Sequence, residues 1–202
     1  MCNDYGNRVP YQAYVEEFSR LQLPILSPGA GAAPNLEARD EIWPTEVAPV
    51  VCAEGHGVAL RQVAWGLAPA RPKGPVVINL RSEGRRFERG RCLVPASHYF
   101  ELTGARSPKV RWKFTTTEPS QTGADWFCFA GLLGRGSAGE AFALITAAAG
   151  PDVVALHARQ PVVLARGSWR GWLAGEDGLL LPSPAGSLQV ERSVRPAAGL
   201  LL

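Results

Sequence analysis

The chain has 202 residues, 46% of them hydrophobic, a net charge of +3 and a pI near 8.8. This is the size and composition of one folded domain over 1–202, able to bury a core without covalent staples. No apolar run reaches the length of a membrane span, and the mild basic charge is compatible with nucleic acid without requiring it.

The chain opens Met1-Cys2, and a small side chain after the initiator Met favours its removal. Removal would leave an α-amine and a thiol on one residue, with ordinary pKa values near ~7.8 and ~8.5. Such a 1,2-aminothiol captures an aldehyde as an imine, which the thiol closes to a thiazolidine; the thiolate alone is also a nucleophile. Tyr11, Tyr14, Val15, Phe18 and Leu21 then fall at helical spacing, predicting a helix over 10–21 with Pro10 in its first turn. Residues 24–35 are rich in Pro, Gly and Ala and read as a loop.

Strand signals follow. Val47–Ala53 and Val58–Trp65 form an expected hairpin across Glu54-Gly55-His56-Gly57. Val76-Val77-Ile78 is an expected strand running into Asn79-Leu80-Arg81, and the Arg-rich piece 82–91 an expected loop with a short helix. Cys92–Glu101 reads as one strand, and Val110–Thr116 with Trp126–Leu133 as an antiparallel pair around a polar loop at 117–125. Ala141–Ala147 reads as a buried strand, Asp152–Leu156 as a helical turn and Pro161–Leu164 as a strand. Ser168–Ala174 reads as a short helix capped by Ser168, and a last strand falls near Leu188–Val194. Long helices do not alternate with strands, which excludes a doubly wound fold. The expected class is α+β, a mainly antiparallel, barrel-like sheet with a few flanking helices.

The cysteines, Cys2, Cys52, Cys92 and Cys128, show no C-x-x-C spacing and no preceding signal peptide, so they read as reduced cytosolic thiols. The histidines at 56, 98 and 157 lack zinc-site spacing with them; no metal and no cofactor is expected. Of the six Trp, at least four are expected in the core. Four polar residues close apolar runs: Asn79, Glu101, Thr146 and His157. Each has an ordinary structural explanation, as a turn or strand-end residue. Their chemistry would also suit Cys2: a carboxylate to take a proton from the α-amine, an imidazole to exchange one with a sugar hydroxyl, an amide to hold the thiol or ring oxygen.

The order of motifs resembles the SRAP family, the SOS-response-associated peptidases. The resemblance is carried by Met1-Cys2, Trp65-Gly66-Leu67-Ala68-Pro69, Asn79-Leu80-Arg81, Arg91-Cys92-Leu93-Val94-Pro95 and Tyr99-Phe100-Glu101. It continues through Phe129-Ala130-Gly131-Leu132, Leu144-Ile145-Thr146 and His157-Ala158-Arg159-Gln160-Pro161. It implies a β-rich, barrel-like domain with a basic groove for single-stranded DNA, and a Cys2 that crosslinks to abasic sites through a thiazolidine. It further implies self-removal of Met1, and an abasic-site lyase as a side activity of the imine. Asn79 would position the Cys or ring, Glu101 act on the amine and imine, and His157 handle the sugar hydroxyl and crosslink reversal. Arg81 and Arg159 match phosphate-contacting positions, Pro44 and Trp65 the base-stacking surface, and Thr146 is grouped with them. A monomer acting in the cytoplasm, at the nucleoid when DNA-bound, is implied. The usual Gly-Arg after Cys2 is here Asn3-Asp4, putting negative charge near the expected phosphate path, with Arg8 as the residue to offset it. Leu102 replaces the usual Trp after Glu101, and Ala158 and Gln160 replace the usual Asp and Met.

From the residues alone, two other readings stay open. One is an amidohydrolase with an amino-terminal nucleophile, a class that usually shows the alternating long helices and sheets absent here. The other is a non-catalytic nucleic-acid-binding barrel in which Cys2 is incidental.

Overall fold

The computed structural model describes residues 2–26, 36–105, 107–119, 122 and 125–194. Met1, most of the expected 24–35 loop, part of the 117–125 loop and the last eight residues lie outside the described residues.

The strands are β1 (Tyr5–Asn7), β2 (Arg39–Ile42), β3 (Val47–Glu54), β4 (Gly57–Trp65), β5 (Asn79–Arg81), β6 (Arg91–Ala96) and β7 (His98–Thr103). They continue with β8 (Val110–Thr116), β9 (Phe127–Arg135), β10 (Glu140–Ala148), β11 (Arg159–Pro161), β12 (Val163–Leu164) and β13 (Leu188–Ser193). The helices are α1 (Tyr11–Arg20) and α2 (Trp169–Leu173), the latter entered through a 3-10 turn at Arg166–Ser168.

Two sheets result. One has the order β13-β8-β7-β1-β2 and is antiparallel throughout. In the other, β3, β4, β10, β9 and β6 pair in a closed ring, with only the β4–β10 step parallel. The barrel-like, α+β expectation therefore holds. The second half of β10 carries a strand on each edge, β5 in parallel (Leu144↔Asn79, Thr146↔Arg81) and β11 antiparallel (Ala148↔Arg159).

Alternation along the ring strands divides the apolar residues into two cores. Val50, Cys92, Val94, Phe129, Phe142 and Leu144 meet Tyr5, Tyr99 and Phe114 of the five-stranded sheet, and Cys2 lies in this core. Val51, Leu93, Cys128, Ala130 and Ile145 face the other way, under Tyr14 and Phe18 of α1 and Trp169 and Trp172 of α2. Being covered on both faces, these strands read as continuous apolar runs. Trp65, Trp126, Trp169 and Trp172 are fully buried, as expected of most of the Trp.

Several local expectations change. Cys92–Glu101 is two strands in different sheets, broken at Ser97, whose N–H donates to Gly6 and whose Oγ accepts from Arg8 N–H. Strands β8 and β9 both form but do not pair with each other, since each finds partners in its own sheet. The strand expected at 76–78 begins instead at Asn79, while Val77 makes a lone bridge to Leu67. No helix forms within 82–91, where Arg91 lies on the Trp172 ring at 4.5 Å and bonds the Phe87 carbonyl and Asp177. Pro161–Leu164 is divided between β11 and β12. Ser168 stands at the N-cap of α2 but makes no side-chain capping bond.

Candidate active site around Cys2

Cys2 is fully buried, and its thiol donates to the Asp4 carbonyl at 3.6 Å. Burial above all raises the thiol pKa well above its ordinary value, and the carboxylates of Glu101 and Asp4 raise it further. The backbone around it is held from two sides. Phe100 N–H donates to the Asp4 carbonyl at 3.0 Å, continuing the β1–β7 ladder. Asn79 Nδ2 donates to the Cys2 carbonyl at 2.8 Å, and Asn79 Oδ1 is buried without a hydrogen-bond partner among the described residues.

Glu101 is only 3% exposed. Burial raises its pKa, while the positive charges of the amino terminus and His157 pull the other way. His157 follows the turn after β10. Its Nδ1 stands 3.0 Å from the Arg159 N–H and 2.8 Å from the Arg159 carbonyl oxygen. The ring can thus accept from the N–H when neutral and donate to the C=O when charged. The turn itself is fixed by Gln160, which accepts from Gly150 N–H at 2.6 Å and donates to Ser183 Oγ at 2.8 Å. Cys2, Asn79, Glu101 and His157 therefore come from the amino terminus, the first residue of β5, β7 and the turn after β10, and are linked by these bonds and charges.

The residues expected to meet DNA divide. Arg81 is exposed and Pro44 half-buried. Arg159 reaches Glu83 with both guanidinium nitrogens, at 2.8 and 2.9 Å, which lowers the Glu83 pKa to about 2. Two residues need correction. Trp65 is fully buried, stacked on Phe142 with its indole N–H donating to the Ile78 carbonyl, and offers no face to a base. Thr146 is 1% exposed; its Oγ1 donates to the Leu80 carbonyl and accepts from Arg159, so it braces that arginine rather than the surface.

Asp4 also departs from expectation. It is buried, not on a phosphate path, and its carboxylate pairs with Arg111. Arg111 also pairs with Glu41 at 2.6 Å and lies 3.4 Å from the Phe100 ring centroid. Arg8 does not offset Asp4; it pairs with Asp40 at 3.0 Å on the surface. The sequence reading missed Arg111. It also missed the Tyr5 and Tyr99 hydroxyls, both buried without hydrogen-bond partners among the described residues; burial above all raises their pKa values, and a thiolate at Cys2 would raise them further. Among the described residues no group of His, Cys, Asp and Glu could hold a metal, the four thiols are free, and no helix is long and apolar enough to cross a membrane.

Solved structures share this architecture. A protein from Bordetella bronchiseptica matches at a TM-score of 0.73 and 20% identity over 96% of this chain and 100% of its own. A protein from Bacteroides thetaiotaomicron matches at 0.71 and 16% identity, over 95% and 91%. A phage-related protein from B. bronchiseptica matches at 0.70 and 19% identity, over 96% and 95%. At these identities the likeness speaks to fold alone. No curated protein matches the sequence at a significant level. The sequence pattern of one family runs over residues 1–191. By that match, with Cys2 at its start and Asn79, Glu101 and His157 within it, the chain belongs to the SOS response associated peptidase (SRAP) family, which links it to the response to DNA damage.

Proposed function

We propose that the chain shields abasic sites in single-stranded DNA by capturing their aldehyde on Cys2. The gathering of Asn79, Glu101 and His157 about a buried Cys2 carries this reading. Removal of Met1, by the protein itself or by an aminopeptidase, frees the α-amine. Glu101, its pKa raised by burial, accepts a proton from the ammonium and leaves it nucleophilic. The amine adds to the ring-opened sugar aldehyde, water leaves, and the resulting imine takes the thiol sulfur at the same carbon. The thiol proton passes to the former imine nitrogen, closing a thiazolidine with one water lost overall.

The unpartnered Asn79 Oδ1 is an acceptor for the α-amine while its Nδ2 holds the Cys2 carbonyl. His157, satisfied at Nδ1 in either protonation state, exchanges a proton at Nε2 with the sugar hydroxyl. Arg81 and Arg159 hold phosphates, Arg159 by leaving Glu83. β-Elimination from the imine before ring closure gives a lyase side reaction. The test is a denaturing gel of Met1-free protein with abasic single-stranded oligonucleotide. Wild type gives a covalent band and Cys2→Ala gives none while retaining weak DNA binding. A band with Cys2→Ala overturns the reading. Binding without a band from either protein favours the non-catalytic barrel.

A further inference from the structure

We propose that Trp112 and Arg192 receive the nucleotide next to the abasic residue, Trp112 stacking its base and Arg192 holding its phosphate. This rests on the single-stranded DNA reading above.

The register places them. Glu101 lies directly opposite Trp112 on β8, and Trp112 directly opposite Arg192 on β13. Directly opposed residues in antiparallel strands share a face, with Cβ atoms about 4.5–5.5 Å apart. The neighbouring row on the same face is Tyr99, Phe114 and Val190. Tyr99 and Phe114 stack there at 4.6 Å, and Val190 packs on the core that holds Cys2. Glu101, Trp112 and Arg192 are thus the next row out on the site's own face. Exposure rises along it, from buried Glu101 through half-buried Trp112 to exposed Arg192 at the sheet edge.

Each side chain is prepared for this use. The Trp112 indole N–H donates to Thr103 Oγ1 at 2.8 Å, so its polar edge is satisfied and its orientation fixed. What remains to offer is aromatic surface, which stacks an unpaired base without reading it. Arg192 forms no ion pair among the described residues, whereas Arg61, Arg91, Arg111 and Arg159 are all engaged. Trp65 is locked in the core, and Leu102, next to Glu101, projects from the opposite face of β7. Trp112 is therefore the indole in register with Glu101.

The test measures equilibrium binding of Trp112→Leu, Trp112→Phe and Arg192→Gln to an intact oligo-dT strand over a range of salt. Circular dichroism checks each fold, and crosslinking to an abasic strand is run beside it. Trp112→Leu should weaken binding roughly 5- to 150-fold, the worth of one base stack, and Trp112→Phe should recover part of it. Arg192→Gln should flatten the slope of log K against log salt by about 0.7, one phosphate contact on a single strand. If wild type crosslinks while Trp112→Leu and Arg192→Gln bind with its affinity and slope, the inference is wrong and the DNA reading stands. If wild type neither binds nor crosslinks, both fall together. Should Trp112→Leu not fold, the near-isosteric Trp112→Phe and the exposed Arg192→Gln still decide.

Discussion

Buried Asp4 and largely buried Arg111 form an ion pair two residues from Cys2, joining positions 107 apart in the chain. The Asp4 carbonyl receives both the Cys2 thiol and Phe100 N–H, so the same residue that accepts the thiol is clamped by its carboxylate. Removing one partner of such a pair strands the other in a dry site. Arg111→Met should cost about 3–5 kcal/mol of stability in urea unfolding. The double variant Asp4→Asn/Arg111→Met should cost less than Arg111→Met alone, because the buried Asp4 carboxylate is no longer left uncompensated and only the more exposed Glu41 loses its partner. Equal losses in the two would show that Arg111 serves Glu41 or Phe100 instead.

Glu101→Gln keeps the shape and removes the carboxylate proposed above as the base. Crosslinking should slow by about 10²-fold or more, the usual worth of a positioned general base, with affinity for intact single-stranded DNA little changed. A single-turnover time course checks this, and a rate equal to wild type would remove Glu101 from the proton step.

Glu83 holds Arg159 in an ion pair, so under the proposed function it would compete with a DNA phosphate for that arginine. Glu83→Gln should strengthen single-strand binding severalfold and steepen its salt dependence by about 0.7 in log–log slope, as Arg159 becomes available to a phosphate. Weaker binding would mean that Glu83 presents Arg159 rather than restraining it.

His98 is buried against Gly6, where a methyl group would lie 2.3 Å from the imidazole ring, and its Nε2 bonds the Asp40 carbonyl at 2.9 Å. Burial lowers its pKa below the ordinary 6.5. Below pH 6.5 the unfolded chain takes up a proton that the folded chain resists. The stability tied to His98 is therefore full above pH 6.5 and lost as pH falls from there toward the lowered value. Urea midpoints between pH 7.5 and 5 should fall more steeply for wild type than for His98→Gln. Parallel curves would contradict this.

Local pattern carried much of the fold. The spacing of Tyr14 and Phe18 marks α1, and the turn at Glu54–Gly57 fixes the β3–β4 register. It could not show that α1 also buries Glu17, because that depends on Arg166, 3.2 Å away at the mouth of α2. Nor could it divide Cys92–Glu101 between sheets, since the break at Ser97 is set by β1. Trp65 illustrates the same limit at the site: an aromatic ending a strand reads as surface or core alike until Phe142 stacks on it. Asn79, Glu101 and His157 were visible as polar residues closing apolar runs. Their meeting at Cys2 depends on β10 carrying β5 on one edge and leading into the His157 turn, while β7 pairs with β1. Arg111 gave no signal, because its partner Asp4 is distant in sequence and a charged residue in a strand usually faces solvent.

The central claim is aldehyde capture by the amino-terminal Cys. Its most direct test is the intact mass of the product formed by Met1-free protein and an abasic single-stranded oligonucleotide, without reductant, followed by peptide mapping. The account predicts a species of the summed masses less one water, with the modification on Cys2. No adduct, an adduct seen only after borohydride trapping, or a modification elsewhere in the chain would contradict it.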